Sequence, residues 1–164
     1  MTAVCAQAAT PAGMRAFGAR LATLLRAGDV VLLIGELGAG KTTLTQGIAA
    51  GLGVTGPVTS PTFVLAREHR SSGDGPALVH ADAYRLSGMA ELDDLDLDTS
   101  LDEAVTVVEW GGGLAEGLAE DRLEVAITRH RGDEAAGDES RQLRIIAIGR
   151  RWSGVPLAAV VAGE

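Results

Sequence analysis

Residues 35–42, GELGAGKT, have the spacing G-x-x-x-x-G-K-[ST]. That pattern has a mechanical reading. Glycine lets the backbone turn successive N–H groups inward, making a concave anion site where a helix begins. Lys41 would then reach the β- and γ-phosphates of a nucleotide, and the Thr42 hydroxyl would be a ligand for Mg²⁺. Glu36, Leu37, Gly38, Ala39, Gly40, Lys41, Thr42 and Thr43 form the nucleotide-contacting stretch, with the spacing favouring Thr42 for the metal and Thr43 for helix packing. Lys41 is the only lysine in the chain, against thirteen arginines. A compositional bias accounts for the scarcity of lysine elsewhere. It does not account for the position of the one that remains, where a compact ammonium suits a ring of amides better than a planar guanidinium.

Phosphate chemistry of this kind needs a further acid at the end of an apolar strand. Asp82 follows ALVHA and Glu109 follows VTVV, so each stands where a strand's carboxyl end would face the nucleotide. Both are candidates for the metal shell and for positioning water, and the spacing does not decide between them. A guanine-reading N/T-K-x-D motif is impossible with one lysine, which favours ATP. No LSGGQ-type signature is present, and the chain is too short for a helicase motor. A small-molecule kinase and a nucleotide sensor that does not hydrolyse remain open. A kinase would need a lid of arginines, and the crowded basic segment, Arg129 to Arg131, is expected in a hairpin far from the loop.

The elements that must position these residues follow from periodicity. Thr10 and Pro11 suit a helix start, and Met14, Phe17, Leu21, Leu24 and Leu25 recur at helical spacing up to Gly28. VVLLI, residues 30–34, is uniformly apolar, as a strand buried on both faces should be. Beyond the loop, KTTLTQGIAAGLG is helical, with Gly53 as its stop. TSPTFVLAREHR and PALVHADAYRL read as two strands joined by the turn-rich SSGDG. Residues 89–104 are acidic and read as a short helix or loop, 105–110 as a buried strand, and GGGLAEGLAE as a short helix. DRLEVAITRHR and SRQLRIIAIGRR alternate like paired strands. The expectation is an α/β chain: a single-domain P-loop NTPase fold over residues 1–150, with a mixed, mostly parallel central sheet flanked by helices. Residues 151–164 are a tail without clear periodicity.

Composition bounds the class. The 164 residues suit one domain with a sizeable core. Aromatics are only 3%, so Ala, Val and Leu must build that core. A net charge of -8 argues against a large face for nucleic-acid phosphates, while leaving room for a protein partner with a basic patch. Cys5 stands alone, so no disulfide framework or zinc cluster is expected. No signal-like start and no long apolar run are present, and a cytoplasmic protein without a membrane span is expected.

The blocks GELGAGKTTLTQGIAAGLG, SPTFVL, HADAYRL and VVEW, in this order and spacing, resemble the TsaE (YjeE) family over about residues 10 to 130. These are small bacterial ATPases needed to make threonylcarbamoyladenosine in tRNA. The resemblance implies ATP and Mg²⁺ as cofactors and a TsaD–TsaB complex as partner, which would hold the tRNA. It implies a switch-like segment from Ser60 to Phe63, in which Thr62 senses the γ-phosphate or the metal. It implies that Asp82 and Glu109 are the two essential acids, and that Trp110 lies beside the nucleotide. His80, Tyr84 and Arg85 complete the second block. Alanines at 81 and 83 depart from the family pattern and suggest repacking, and the proline common after Trp110 is missing.

Overall fold

The computed structural model describes residues 1–61, 65–83, 86, 88–110, 115–129, 137 and 139–163, with Trp110, Ala115 and Glu116 described through their backbone alone. Seven strands form one sheet: β1 (Thr2–Ala8), β2 (Val30–Ile34), β3 (Ala66–His69), β4 (Ala77–Asp82), β5 (Ala104–Trp110), β6 (Arg122–Arg129) and β7 (Arg141–Ile148). Their order across the sheet is β1-β7-β6-β2-β5-β4-β3. The four central strands, β6, β2, β5 and β4, are parallel, and antiparallel pairs close both edges. The sheet is thus mixed, with its parallel part in the middle, where helices can cover both faces.

β2 is the axis of this arrangement. Its side chains alternate between two apolar clusters: Val31 and Leu33 on one face, Val30 and Leu32 on the other. The first face is covered by α1 (Pro11–Ala22) and α2 (Lys41–Gly51), together with α5 (Leu157–Val161) and Trp152. The second is covered by α3 (Met89–Asp93) and α4 (Ala115–Leu118), through Leu92 and Leu118. The last residues therefore pack into the main core, with Trp152, Leu157 and Val160 all buried.

Helix α1 begins as its sequence predicts. The Thr10 hydroxyl accepts from the Gly13 N–H at 3.0 Å, and Pro11 opens the first turn. It ends at Ala22, earlier than the periodicity to Gly28 suggests, because residues 23–25 continue as tighter turns. Helices α1 and α2 lie backbone to backbone. A Cβ at Gly18 would stand 2.6 Å from the Leu44 carbonyl, and one at Gly47 would overlap the Arg15 carbonyl. Small residues at this contact let the helix that follows the phosphate loop sit hard against its neighbour.

At the opposite end of the parallel strands, Asp29 precedes β2 and is buried. Arg151 clamps it with Nε to Oδ1 at 2.8 Å and a terminal nitrogen to Oδ2 at 2.7 Å, while the Arg26 N–H donates to Oδ2 at 2.9 Å. The Arg151 guanidinium also lies 4.3 Å from the Trp152 ring centre. This bidentate pair ties the C-terminal segment to the start of β2.

β1 and the α5 packing were not foreseen from the sequence. The 66–69 and 77–82 strands do form the expected antiparallel pair, and 89–104 contains α3 and a 3₁₀ turn at Leu101–Glu103. Among the described residues, no helix is long and apolar enough to cross a membrane.

Candidate active site

The turn from β2 into α2 is built by glycine. At Gly35 a Cβ would stand 2.9 Å from both the Ala39 Cβ and the Ile127 carbonyl, so the strand leaves the sheet where no side chain fits. Gly40 caps α2 with φ +110°, a left-handed conformation that glycine adopts without strain. The first N–H groups of α2 have no partner within the helix and gather at this loop. The Lys41 ammonium curls back over the loop and donates to the Gly35 carbonyl at 2.6 Å and the Glu36 carbonyl at 3.2 Å. Leu37, at the tip, is 99% exposed, and Ala39 is buried.

The two acids named from the sequence come together. β4 and β5 are parallel neighbours, and their register sets Asp82 directly opposite Glu109. The Asp82 N–H donates to the Leu65 carbonyl at 2.9 Å, fixing its backbone at the strand end. Glu109 reaches across to α2, where the Thr42 hydroxyl donates to its Oε1 at 3.0 Å. His80, two residues before Asp82 and fully buried, places Nε2 3.1 Å from the same oxygen.

Burial alone would push the Glu109 carboxyl up. The hydrogen bond and charge of His80, the Thr42 hydroxyl and the Lys41 ammonium outweigh it and hold Glu109 below the ordinary carboxylate value. Glu109 is therefore an anion at neutral pH, one hydrogen bond from the phosphate loop. On the neighbouring edge strand, burial, His80 and Arg67 lower His69 from its usual value.

This donor set fits a divalent cation held with a nucleotide. A hydroxyl at the start of a phosphate-loop helix, hydrogen-bonded to a strand-end carboxylate, supplies the oxygen ligands that a small hard cation takes. Among the described residues no three His, Cys, Asp or Glu side chains form a cage. Thr62, Phe63, Tyr84, Arg85 and the Trp110 side chain, all named from the sequence, lie outside the described residues.

One sequence expectation needs correction. Arg129, the first residue of the basic segment, is not far from the loop, while Arg131 lies outside the described residues. β6 runs parallel to β2 with Ile34 opposite Ala126, so Arg129 extends past the carboxyl end of β2, on the phosphate-loop side. The returning strand brings Arg141, whose Nε donates to the Ala39 carbonyl at 3.1 Å. Arg141 also borders a cavity of about 90 Å³ with Thr10, Met14, Gly40 and Thr43. Sequence reasoning missed Arg141 because its place depends on strand direction, and an alternating strand pattern carries no direction. Gln46 was missed as well. It donates to the Val58 carbonyl at 3.0 Å, joining α2 to the segment that leads to Ser60. Its one signal was position, four residues after Thr42 and so on the same helix face.

The family model described as "Threonylcarbamoyl adenosine biosynthesis protein TsaE" matches residues 8–141. The tRNA threonylcarbamoyladenosine biosynthesis protein TsaE of Streptomyces coelicolor is 60% identical over 151 residues, covering 92% of this chain and 100% of that protein. Its Bacillus subtilis namesake is 40% identical over 143 residues, covering 87% of this chain and 84% of its own. A crystal structure of Bacillus subtilis YdiB superposes with a TM-score of 0.70 at 33% identity, covering 93% of this chain and 90% of that one.

Proposed function

The chain belongs to the TsaE family of threonylcarbamoyladenosine biosynthesis proteins, and we propose that it is a weak Mg²⁺-dependent ATPase serving that tRNA modification. The observation that carries this reading is the bond from Thr42 to Glu109, 3.0 Å long, which joins the phosphate-loop helix to a strand-end carboxylate. A residue that both accepts from the loop hydroxyl and stays ionised belongs in the metal shell. Glu109 is that acid, leaving Asp82, its neighbour in register, to orient the attacking water.

The chain's own residues then divide the work. Backbone N–H groups from Glu36 to Gly40 receive phosphate oxygens. The Lys41 ammonium exchanges its two carbonyl partners for the β- and γ-phosphates. Asp82 accepts a hydrogen from water that attacks the γ-phosphorus, and ADP and phosphate leave. Mg²⁺, held through Thr42 and Glu109, would neutralise charge on the transferring group. By the family resemblance, Thr62 would sense the γ-phosphate or the metal, and Trp110 would stand beside the nucleotide.

Hydrolysis is slow in isolation, and a TsaD–TsaB partner complex in the cytoplasm is what the cycle acts on. The net charge of -8 agrees with a protein that meets tRNA only through that partner. The test is a reconstituted modification reaction with partner proteins, tRNA and ATP. Lys41→Ala should fold and yet lose roughly 10²–10³-fold in turnover. Lys41→Arg should fail too, since the planar fork is bulkier than the ammonium. Sustained multiple turnovers by Lys41→Ala would end this reading. Transfer of phosphate to a small acceptor would replace it with a kinase.

A further inference from the structure

We propose that His80 is the positioning residue of the metal-shell carboxylate, holding Glu109 by one oxygen so that the other stays available. The inference rests on the reading of Glu109 as the acid of that shell.

His80 lies inside β4 with no solvent exposure, between Val107 of β5 and Arg67 of β3 in register. An apolar residue would pack such a position without the desolvation cost that an imidazole carries. Among the described residues the ring's one hydrogen bond is the contact of Nε2 with Glu109 Oε1 at 3.1 Å. Its Nδ1 is buried and has no partner among the described residues. A histidine serving the fold alone would be expected to use both nitrogens, and this one spends its polarity on Glu109.

The donor arrangement is informative. An ionised carboxylate only accepts, so the hydrogen must sit on Nε2. Oε1 then receives two donors, Thr42 at 3.0 Å and His80 at 3.1 Å. Oε2 has no hydrogen-bond partner among the described residues. The Thr42 bond alone joins two side chains that can rotate. The His80 bond adds a ring that the sheet holds rigidly, and it fixes which carboxylate oxygen faces Thr42. Partners of this kind, standing behind a ligand, typically change metal affinity by roughly 10–100-fold when removed.

The experiment compares Mg²⁺ dependence with Mg²⁺-free binding, using a fluorescent ADP analogue. In the wild type, affinity is measured in EDTA and then across a Mg²⁺ titration. His80→Asn places its amide too short to reach Glu109, whereas His80→Gln restores a donor at about the reach of Nε2. We expect both variants to bind the analogue in EDTA as the wild type does. His80→Asn should need roughly tenfold more Mg²⁺ for the same gain in affinity, and His80→Gln should recover most of that loss. A wild-type Mg²⁺ titration in His80→Asn, alongside a weakened one in Glu109→Gln, overturns the role of His80 and leaves Glu109 in place. An unchanged titration in Glu109→Gln overturns the reading of Glu109 itself. The wild type also decides the matter without variants. Nitrogen NMR should find the His80 hydrogen on Nε2, and an Nε2 without a hydrogen sinks the proposal.

Discussion

Asp29 and Glu109 are two largely buried carboxylates at opposite ends of the same parallel strands, and they are treated in opposite ways. Asp29 precedes β2 and has both oxygens occupied by Arg151 and the Arg26 N–H. Glu109 stands at the carboxyl end of β5 with two donors crowded onto Oε1. The first is saturated by a bidentate cation and joins chain segments far apart in sequence. The second is held on one side only, beside a loop that gathers backbone N–H groups. A buried charge with every lone pair answered is a fastening. One with an oxygen in reserve can still take up a cation.

The difference predicts that the two sites can be broken independently. The largest effect should come from Arg151→Ala, which strands the Asp29 charge in the core. Losing one partner of a buried pair costs about 3–5 kcal/mol. Urea unfolding should show that loss, while the nucleotide affinity of the remaining folded protein should stay near that of the wild type. A comparable loss of affinity would mean that the two ends are coupled.

Glu109→Gln should do the reverse. Turnover should fall by roughly 10²–10³-fold. Unfolding should change far less than in Arg151→Ala, and a stability loss as large would show that Glu109, too, is a fastening. Next in size is Gly47→Val, aimed at the contact between α1 and α2. Overpacking of this kind costs about 1–3 kcal/mol. It should also weaken nucleotide binding, because α2 carries Lys41 and Thr42, and a purely thermal effect would separate helix packing from loop geometry.

The smallest effect concerns acid. The Glu109 carboxyl is held below its ordinary value in the folded chain, so the folded state favours the ionised form. Its contribution is fully present above the unfolded pKa and is lost as pH falls through the folded one. Melting temperature measured down this range should decline slightly less in Glu109→Gln than in the wild type. An identical decline would show that burial cancels the hydrogen bonds.

Much of this was legible in the sequence where chemistry and periodicity coincide. VVLLI followed by a glycine loop and a helix left β2 and α2 little choice, and the strand-end positions of Asp82 and Glu109 followed from ALVHA and VTVV. β1 was not legible. TAVCAQA alternates among small and polar side chains, so a largely exposed edge strand leaves a faint period-2 signal. The final helix is only five residues long, and its anchors, Trp152 and Leu157, are separated by a Gly-Val-Pro turn that hides any period. Which of the two acids bonds to the phosphate-loop helix was not legible either. It depends on which side chain reaches Thr42, a fact of register and reach rather than of composition.

The pairing of β1 with β7 has a consequence for the order of assembly. The first of the seven strands must wait for the last, since residues 2–8 find their partners only at 141–147. Contacts so distant along the chain are slow to form, because the intervening loop must close before they give any return. The same late strand carries Arg141, which answers the Ala39 carbonyl in the phosphate loop. On the ribosome, then, the loop's sequence emerges early and its last hydrogen-bond partner emerges late. A nascent chain halted before residue 141 would hold the whole GELGAGKT stretch yet lack the strand that braces it.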